Sequence, residues 1–200
     1  MRKLLTLMMV LILCFGVVGC NNNKKTDEKE KEEKEVTISD YSWQDCVISI
    51  DGNIIEFPIS VEKLTEMGFT NFHCNFKQVE PGRTVHGTAV YKGGRYQLEI
   101  RNPKNENGEK SEMLEPEKCE VAGIRVHDII SLGSGKIQIV FPKNIIITET
   151  TIEDIIEKYG KQTEKHGENT YVWSKNGVIM EISLNKDGHG MVEGFYISNQ

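Results

Sequence analysis

The sequence predicts an α+β domain: an antiparallel sheet with helices packed on one face, in two related strand-helix-three-strand halves. Three observations predict it. Apolar and polar residues alternate through Tyr96, Leu98, Ile100 and through Val178, Met180, Ile182, Leu184, the period of two of half-buried strands. Asp51-Gly52, Gly93-Gly94, Asn176-Gly177 and Asp187-Gly188 punctuate these runs and supply the positive φ that tight hairpin turns demand. Ile152, Ile155, Ile156 and Tyr159 fall at i, i+3, i+4, i+7, the apolar stripe of a helix.

Taken in order, Cys46 to Ile50 and Asn53 to Phe57 form the first hairpin about Asp51-Gly52. Ser60 caps a short helix over Val61 to Met67, and Gly68 ends it as a left-handed residue. Val85 to Tyr91 and Arg95 to Arg101 form the second hairpin, and Asn102 to Pro116 is a polar loop. Glu120 to Val126 is a strand. Ile139-Val140-Phe141-Pro142 then echoes Ile55-Glu56-Phe57-Pro58. A second helix follows, with Thr150 and Glu153 as its capping box and Gly160 as its stop. Thr170 to Ser174, Val178 to Leu184 and Met191 to Ile197 complete the chain as strands. The last carries Val192-Glu193-Gly194-Phe195-Tyr196-Ile197 against the earlier Val121-Ala122-Gly123-Ile124-Arg125-Val126. Landmarks recurring in one order divide the domain into halves at about 46–126 and 136–198.

The domain is preceded by two segments of different character. Arg2 and Lys3 open a positive n-region, and Leu4 to Phe15 is apolar except for Thr6. That run is shorter than the roughly 20 residues a spanning helix needs, and it has the form of a secretory signal. Val17-Val18-Gly19-Cys20 closes it, and these four residues resemble the lipobox of bacterial lipoproteins. The resemblance implies cleavage after residue 19, attachment of a diacylglycerol to the Cys20 sulfur, and a mature chain fixed to the outside of the cell membrane. Each buried CH₂ contributes about 0.8 kcal/mol, so one acyl chain holds marginally and two hold stably. Residues 20–35 follow as a tether, rich in Asn, Lys and Glu; Asn21 to Glu35 holds no apolar residue to offset the entropy of ordering.

The domain proper, 36–200, is long enough to bury a core. Within it 17 Lys and Arg stand against 24 Asp and Glu, an acidic balance opposed to nucleic-acid binding. Cys46, Cys74 and Cys119 leave an odd thiol however they pair, and their spacing matches no structural zinc motif.

The landmarks Thr150-Thr151-Ile152-Glu153-Asp154-Ile155-Ile156, Tyr159-Gly160 and Tyr171-Val172-Trp173 resemble those of surface lipoproteins, mostly of Gram-positive bacteria, built from a helix, Tyr-Gly, hairpin and strand. Their architecture is similar to that of β-lactamase-inhibitor-protein-like and outer-membrane-assembly lipoprotein domains. The resemblance covers Lys136 to Ser198 well and Cys46 to Val126 loosely. That family usually has a proline where Gln162 stands here. It carries over no catalytic residue, and implies protein or peptide binding outside the cell.

Alternation turns this into a candidate surface. The apolar sides of the strands meet the helices, with Ile124, Val126, Phe195 and Ile197 inward. Gly123, Arg125, Gly194 and Tyr196 then look outward, with Tyr171 or Trp173 beside them, and Tyr, Trp and Arg supply much of interface energy. An alternative constellation is metal-binding or metal-sensing. His166 and Glu168 at one hairpin loop and Asp187 and His189 at another offer ligands for zinc or another divalent ion. His73-Cys74 does not make a thiol nucleophile, because strand neighbours point apart. No P-loop, dinucleotide fingerprint or GxSxG occurs. The expectation is a lipid-anchored, non-enzymatic binding or envelope-associated module without a cofactor.

Overall fold

Three Xaa-Gly turns set the frame of the fold. Asp51-Gly52, Lys92-Gly93 and Asn176-Gly177 all have positive φ at both positions, the type I′ geometry whose twist matches that of paired strands. The computed structural model describes residues 37–103, 112–128, 137–185 and 191–200. The elements are β1 Val47–Ile50, β2 Asn53–Glu56, β3 Ile59–Ser60, α1 Val61–Glu66, β4 Thr70–Cys74, β5 Thr84–Tyr91, β6 Gly94–Arg101 and β7 Glu120–Val126. They continue with β8 Ile139–Phe141, β9 Ile145–Ile146, α2 Ile152–Tyr159, β10 Glu164–His166, β11 Thr170–Lys175, β12 Val178–Leu184 and β13 Val192–Asn199.

The strands form two antiparallel sheets. The larger has nine strands in the order β10-β11-β12-β13-β7-β6-β5-β4, with β3 pairing beside the start of β7. The smaller has four, in the order β2-β1-β8-β9. At the middle of the large sheet β7 and β13 pair through Gly123↔Ser198, Ile124↔Ile197, Arg125↔Tyr196 and Val126↔Phe195.

This is a β-rich fold, which corrects the expectation of an α+β layer of helices on a sheet in strand-helix-three-strand halves. The physical reason is one of reach. α2, with eight residues, is about 12 Å long at roughly 1.5 Å per residue. Eight strands side by side span about 34 Å at ~4.8 Å spacing, so two such helices cannot cover them. The small sheet helps to cover the apolar side instead. Ile48, Ile50, Ile55, Ile139 and Phe141 from it share one buried cluster with Leu98, Ile124, Phe195 and Ile197 of the large sheet. Phe141 meets Phe195 edge to face, with ring centroids 5.1 Å apart. Val61 and Leu64 of α1 and Ile152 and Ile155 of α2 join the same cluster. The strand count of the halves is corrected with it: within 46–126 and within 136–198 the helix is followed by four strands, since β4 and β10 precede the predicted hairpins.

Local signals act where the chemistry requires them. The Ser60 hydroxyl accepts the Lys63 N–H at 3.2 Å and caps α1, and Gly68 follows with φ +97°. The capping box of α2 is shifted by one residue from the expected Thr150 and Glu153. Thr151 accepts the Asp154 N–H at 3.2 Å, and Asp154 accepts from Thr151 in return. Thr150 instead donates its hydroxyl to the Ile146 carbonyl at 2.8 Å. Tyr159 donates to the Pro142 carbonyl at 2.8 Å, and the Trp173 indole donates to the Gly160 carbonyl at 2.9 Å. The Tyr-Gly and Trp landmarks thus secure the exit of α2 against β11.

Among the described residues no helix is long and apolar enough to cross a membrane. Cys20 and the tether lie outside the described residues.

Candidate functional site

The outer face of the large sheet is the side turned away from the small sheet, and its side chains follow from pairing register. Thr88, Gln97, Arg125, Tyr196 and Glu181 stand opposite one another across β5, β6, β7, β13 and β12. One row along the strands come His86, Glu99, Gly123, Ser198 and Ile179. The face is polar because these strands alternate, and their apolar positions are spent on the core.

Arg125 and Tyr196 are therefore directly opposed at the centre of the sheet. The Arg125 guanidinium lies 4.1 Å from the Tyr196 ring centroid, a stacked cation–π geometry. It also reaches Glu181, with Nη1 at 3.2 Å from the carboxylate. Tyr196 is only 4% exposed, so the aromatic ring is roofed rather than open. That burial pushes its phenol up to about 12. What the face presents at this point is the half-buried guanidinium, held from two sides.

Gly123 and Gly194 are buried, and their part is in strand pairing. A Cβ on Gly123 would lie 2.5 Å from the Ile197 carbonyl oxygen, and one on Gly194 would lie 2.7 Å from that of Val126. Their lack of a side chain lets β7 and β13 approach. Tyr171 and Trp173 sit on the inner side, opposite Ile182 and Met180, and Trp173 is fully buried. Neither contributes to the outer face, because the β11–β12 register turns both to the inner side, where Trp173 meets Tyr159 of α2.

Among the described residues, clefts open at three places on the outer face. The largest of these three, about 660 Å³, lies between His86, Glu99, Arg101, Ala122 and Asn199. The irregular register between β6 and β7 leaves Ala122 unpaired there. Arg101 is held by the Asn199 carbonyl at 3.0 Å and Glu120 at 3.7 Å, and Glu99 accepts the Ser198 hydroxyl at 2.6 Å. A second cleft of about 290 Å³ is lined by Thr88, Arg95, Gln97, Arg125, His127 and Asp128. A third, about 140 Å³, shares Arg125 and His127 with it and continues to Glu181, Ser183 and Gly194. His127 Nε2 lies 3.1 Å from Gln97 Oε1.

No family model matches the chain, and no curated protein or solved structure matches it significantly.

His166 pairs with Glu164, its Nε2 at 3.1 Å from the carboxylate, and both are exposed. Glu168 is exposed in the adjoining turn, while Asp187 and His189 lie outside the described residues. No group of three His, Cys, Asp or Glu placed to hold a metal occurs among the described residues. His73 bonds Asn75 at 3.1 Å, whereas the Cys74 thiol turns to the His86 carbonyl at 3.7 Å, so the two neighbours do point apart. Cys46, Cys74 and Cys119 are free thiols, and burial pushes those of Cys46 and Cys119 up to about 12 and about 11.

Arg95, Glu99, Arg101 and His127 are among the site-lining residues that the sequence did not single out. Alternation already put Glu99 and Arg101 on the outward side of β6, and the same parity carries Arg95. His127 stands just past the end of β7, two positions beyond Arg125, and because Arg125 pairs with Gln97 its ring comes within 3.1 Å of the Gln97 side chain. The arrangement supplies guanidinium and imidazole groups next to carboxylates on a rigid sheet, which suits polar recognition.

Proposed function

We propose that this protein is a lipid-anchored, extracytoplasmic, non-enzymatic binding module that receives a protein or peptide partner on the outer face of its large sheet. One observation carries the reading: three connected or adjacent clefts lie along a polar sheet face whose centre is a preorganised arginine. A guanidinium fixed by Glu181 and Tyr196 loses little conformational freedom on binding, which favours affinity. The placement outside the cell rests on the signal-like start and the lipobox at Cys20.

A photo-crosslinking residue at Gln97, compared on intact cells with one at the exposed Glu62 of α1, tests the surface. A discrete adduct at Gln97 that is absent at Glu62 and weakened by Arg125→Ala is the expected result. Equal labelling at both positions removes this face from consideration. For the anchor, Cys20→Ala abolishes incorporation of a fatty-acid analogue and releases protein from the membrane fraction or leaves it unprocessed. Continued labelling of that variant contradicts acylation at this position.

A further inference from the structure

We infer that the cleft between Arg95, Arg125 and His127 is a carboxylate-binding site, which takes an acidic side chain or the C-terminus of a peptide partner. The inference rests on the reading of the outer sheet face as the binding face, and adds the chemistry of what is bound.

Charge is the first argument. The domain carries an excess of acidic residues, yet here, among the described residues, two arginines and a histidine line one cleft of about 290 Å³ with one carboxylate, Asp128. The two arginines play different parts. Arg125 shares its charge with Glu181 at 3.2 Å and is pinned over Tyr196, so it contributes direction. Arg95 is exposed and makes no ion pair among the described residues, so it contributes the charge left unneutralised. A guanidinium presents its donors as a planar fork that matches a carboxylate in two parallel hydrogen bonds.

Neutral groups complete the cleft. The Thr88 hydroxyl and the Gln97 amide line it between the arginines, and the Gln97 amide is itself positioned by its contact with His127 at 3.1 Å. An entering carboxylate therefore meets charged donors together with neutral polar side chains. The site continues past Arg125 into the smaller cleft at Ser183 and Gly194, giving an extended chain room to run across β7, β13 and β12. The acidic surroundings sharpen selection, since a peptide bearing scattered negative charge is repelled elsewhere on the domain and accepted here.

Fluorescence anisotropy of the full-length protein in detergent tests the assignment, with a labelled Glu-rich peptide, its Gln-rich counterpart and inorganic phosphate as competitor. The Glu-rich peptide binds saturably, the Gln-rich one at least about tenfold more weakly, and Arg95→Glu reduces binding by about tenfold or more, as reversal of a contact charge does. Arg95 is exposed, so the folded state survives the change; an unaltered circular-dichroism spectrum verifies it. Equal binding of both peptides, or Arg95→Glu without effect, overturns the carboxylate site. Phosphate competing as well as the acidic peptide also overturns it, by showing an unselective oxyanion site. The outer-face reading fails separately. If the Gln97 crosslink forms on cells and persists in Arg95→Glu, the face binds a partner and the carboxylate site alone is wrong.

Discussion

At the residue scale, two glycines and an arginine-tyrosine pair show how one position can be misread from its type alone. Gly123 and Gly194 sit beside Arg125 and Tyr196 on paired strands, where small residues suggest a dent for a ligand. Their surroundings give another reason: any Cβ would press into the carbonyl of the opposite strand. Gly123→Ala must push β7 away from β13 or bend it, since the nearest atoms are the Ile197 carbonyl oxygen and the Cα and Cβ of Ser198, none of which can swing aside. We expect a loss of about 1–3 kcal/mol, as for other overpacked sites, read from the shift in chemical-denaturation midpoint. A midpoint equal to that of the parent protein would mean that the two strands separate freely.

At the element scale, the second helix illustrates how a short segment is held. Eight residues form a marginal helix in water, and its stability comes from its ends and its packing. Thr151 and Asp154 close the N-terminus, Ile152 and Ile155 enter the core, and the exit is tied by Tyr159 to Pro142 and by Trp173 to Gly160. Trp173→Phe removes the indole donor and leaves the Gly160 carbonyl without that partner. The expected cost is about 1–3 kcal/mol, with protection of the Gly160 region in hydrogen exchange falling more than that of the β7–β13 centre. Uniform loss of protection across both regions would show that the helix exit is not a separate unit.

At the scale of the whole molecule, burial of weak acids makes the fold sensitive to alkali. The Cys46 thiol is raised from 9.0 to about 12, that of Cys119 from 9.0 to about 11, and the Tyr196 phenol from 10.0 to about 12. Burial is the first cause in each, and it raises the phenols of Tyr96 and Tyr159 as well. Above pH 9.0 the unfolded chain releases these protons while the folded chain retains them. The unfolded state then binds fewer protons, so stability is intact below that pH and declines as pH rises toward about 12. Denaturant midpoints measured near pH 8 and near pH 10.5 should differ, the alkaline one being lower, with no plateau until the folded-state groups titrate. An unchanged midpoint would mean that these groups are solvated in the native state.

Much of the local structure was legible in the sequence, and the limits of legibility were physical. Type I′ turns at Asp51-Gly52 and Asn176-Gly177, the cap at Ser60, and strands such as Glu120–Val126 depend on chemistry contained within a few residues. β3 and β9 are two residues long, and β10 is three exposed polar residues, so no alternation marks them. Their existence depends on partners distant in the chain. The same holds for the layer that covers the core: β1 pairs with β8 some ninety residues on, and this made a second sheet where helices were expected. Sequence alone determined the parity of the long alternating strands β6, β7 and β12, hence that Arg125 faces outward, because side-chain direction follows chain position. Tertiary structure decided that Tyr196 lies roofed beneath Arg125, that Trp173 turns inward, and that Arg95 and His127 share its cleft. Those facts arise from register between strands, which no single strand encodes.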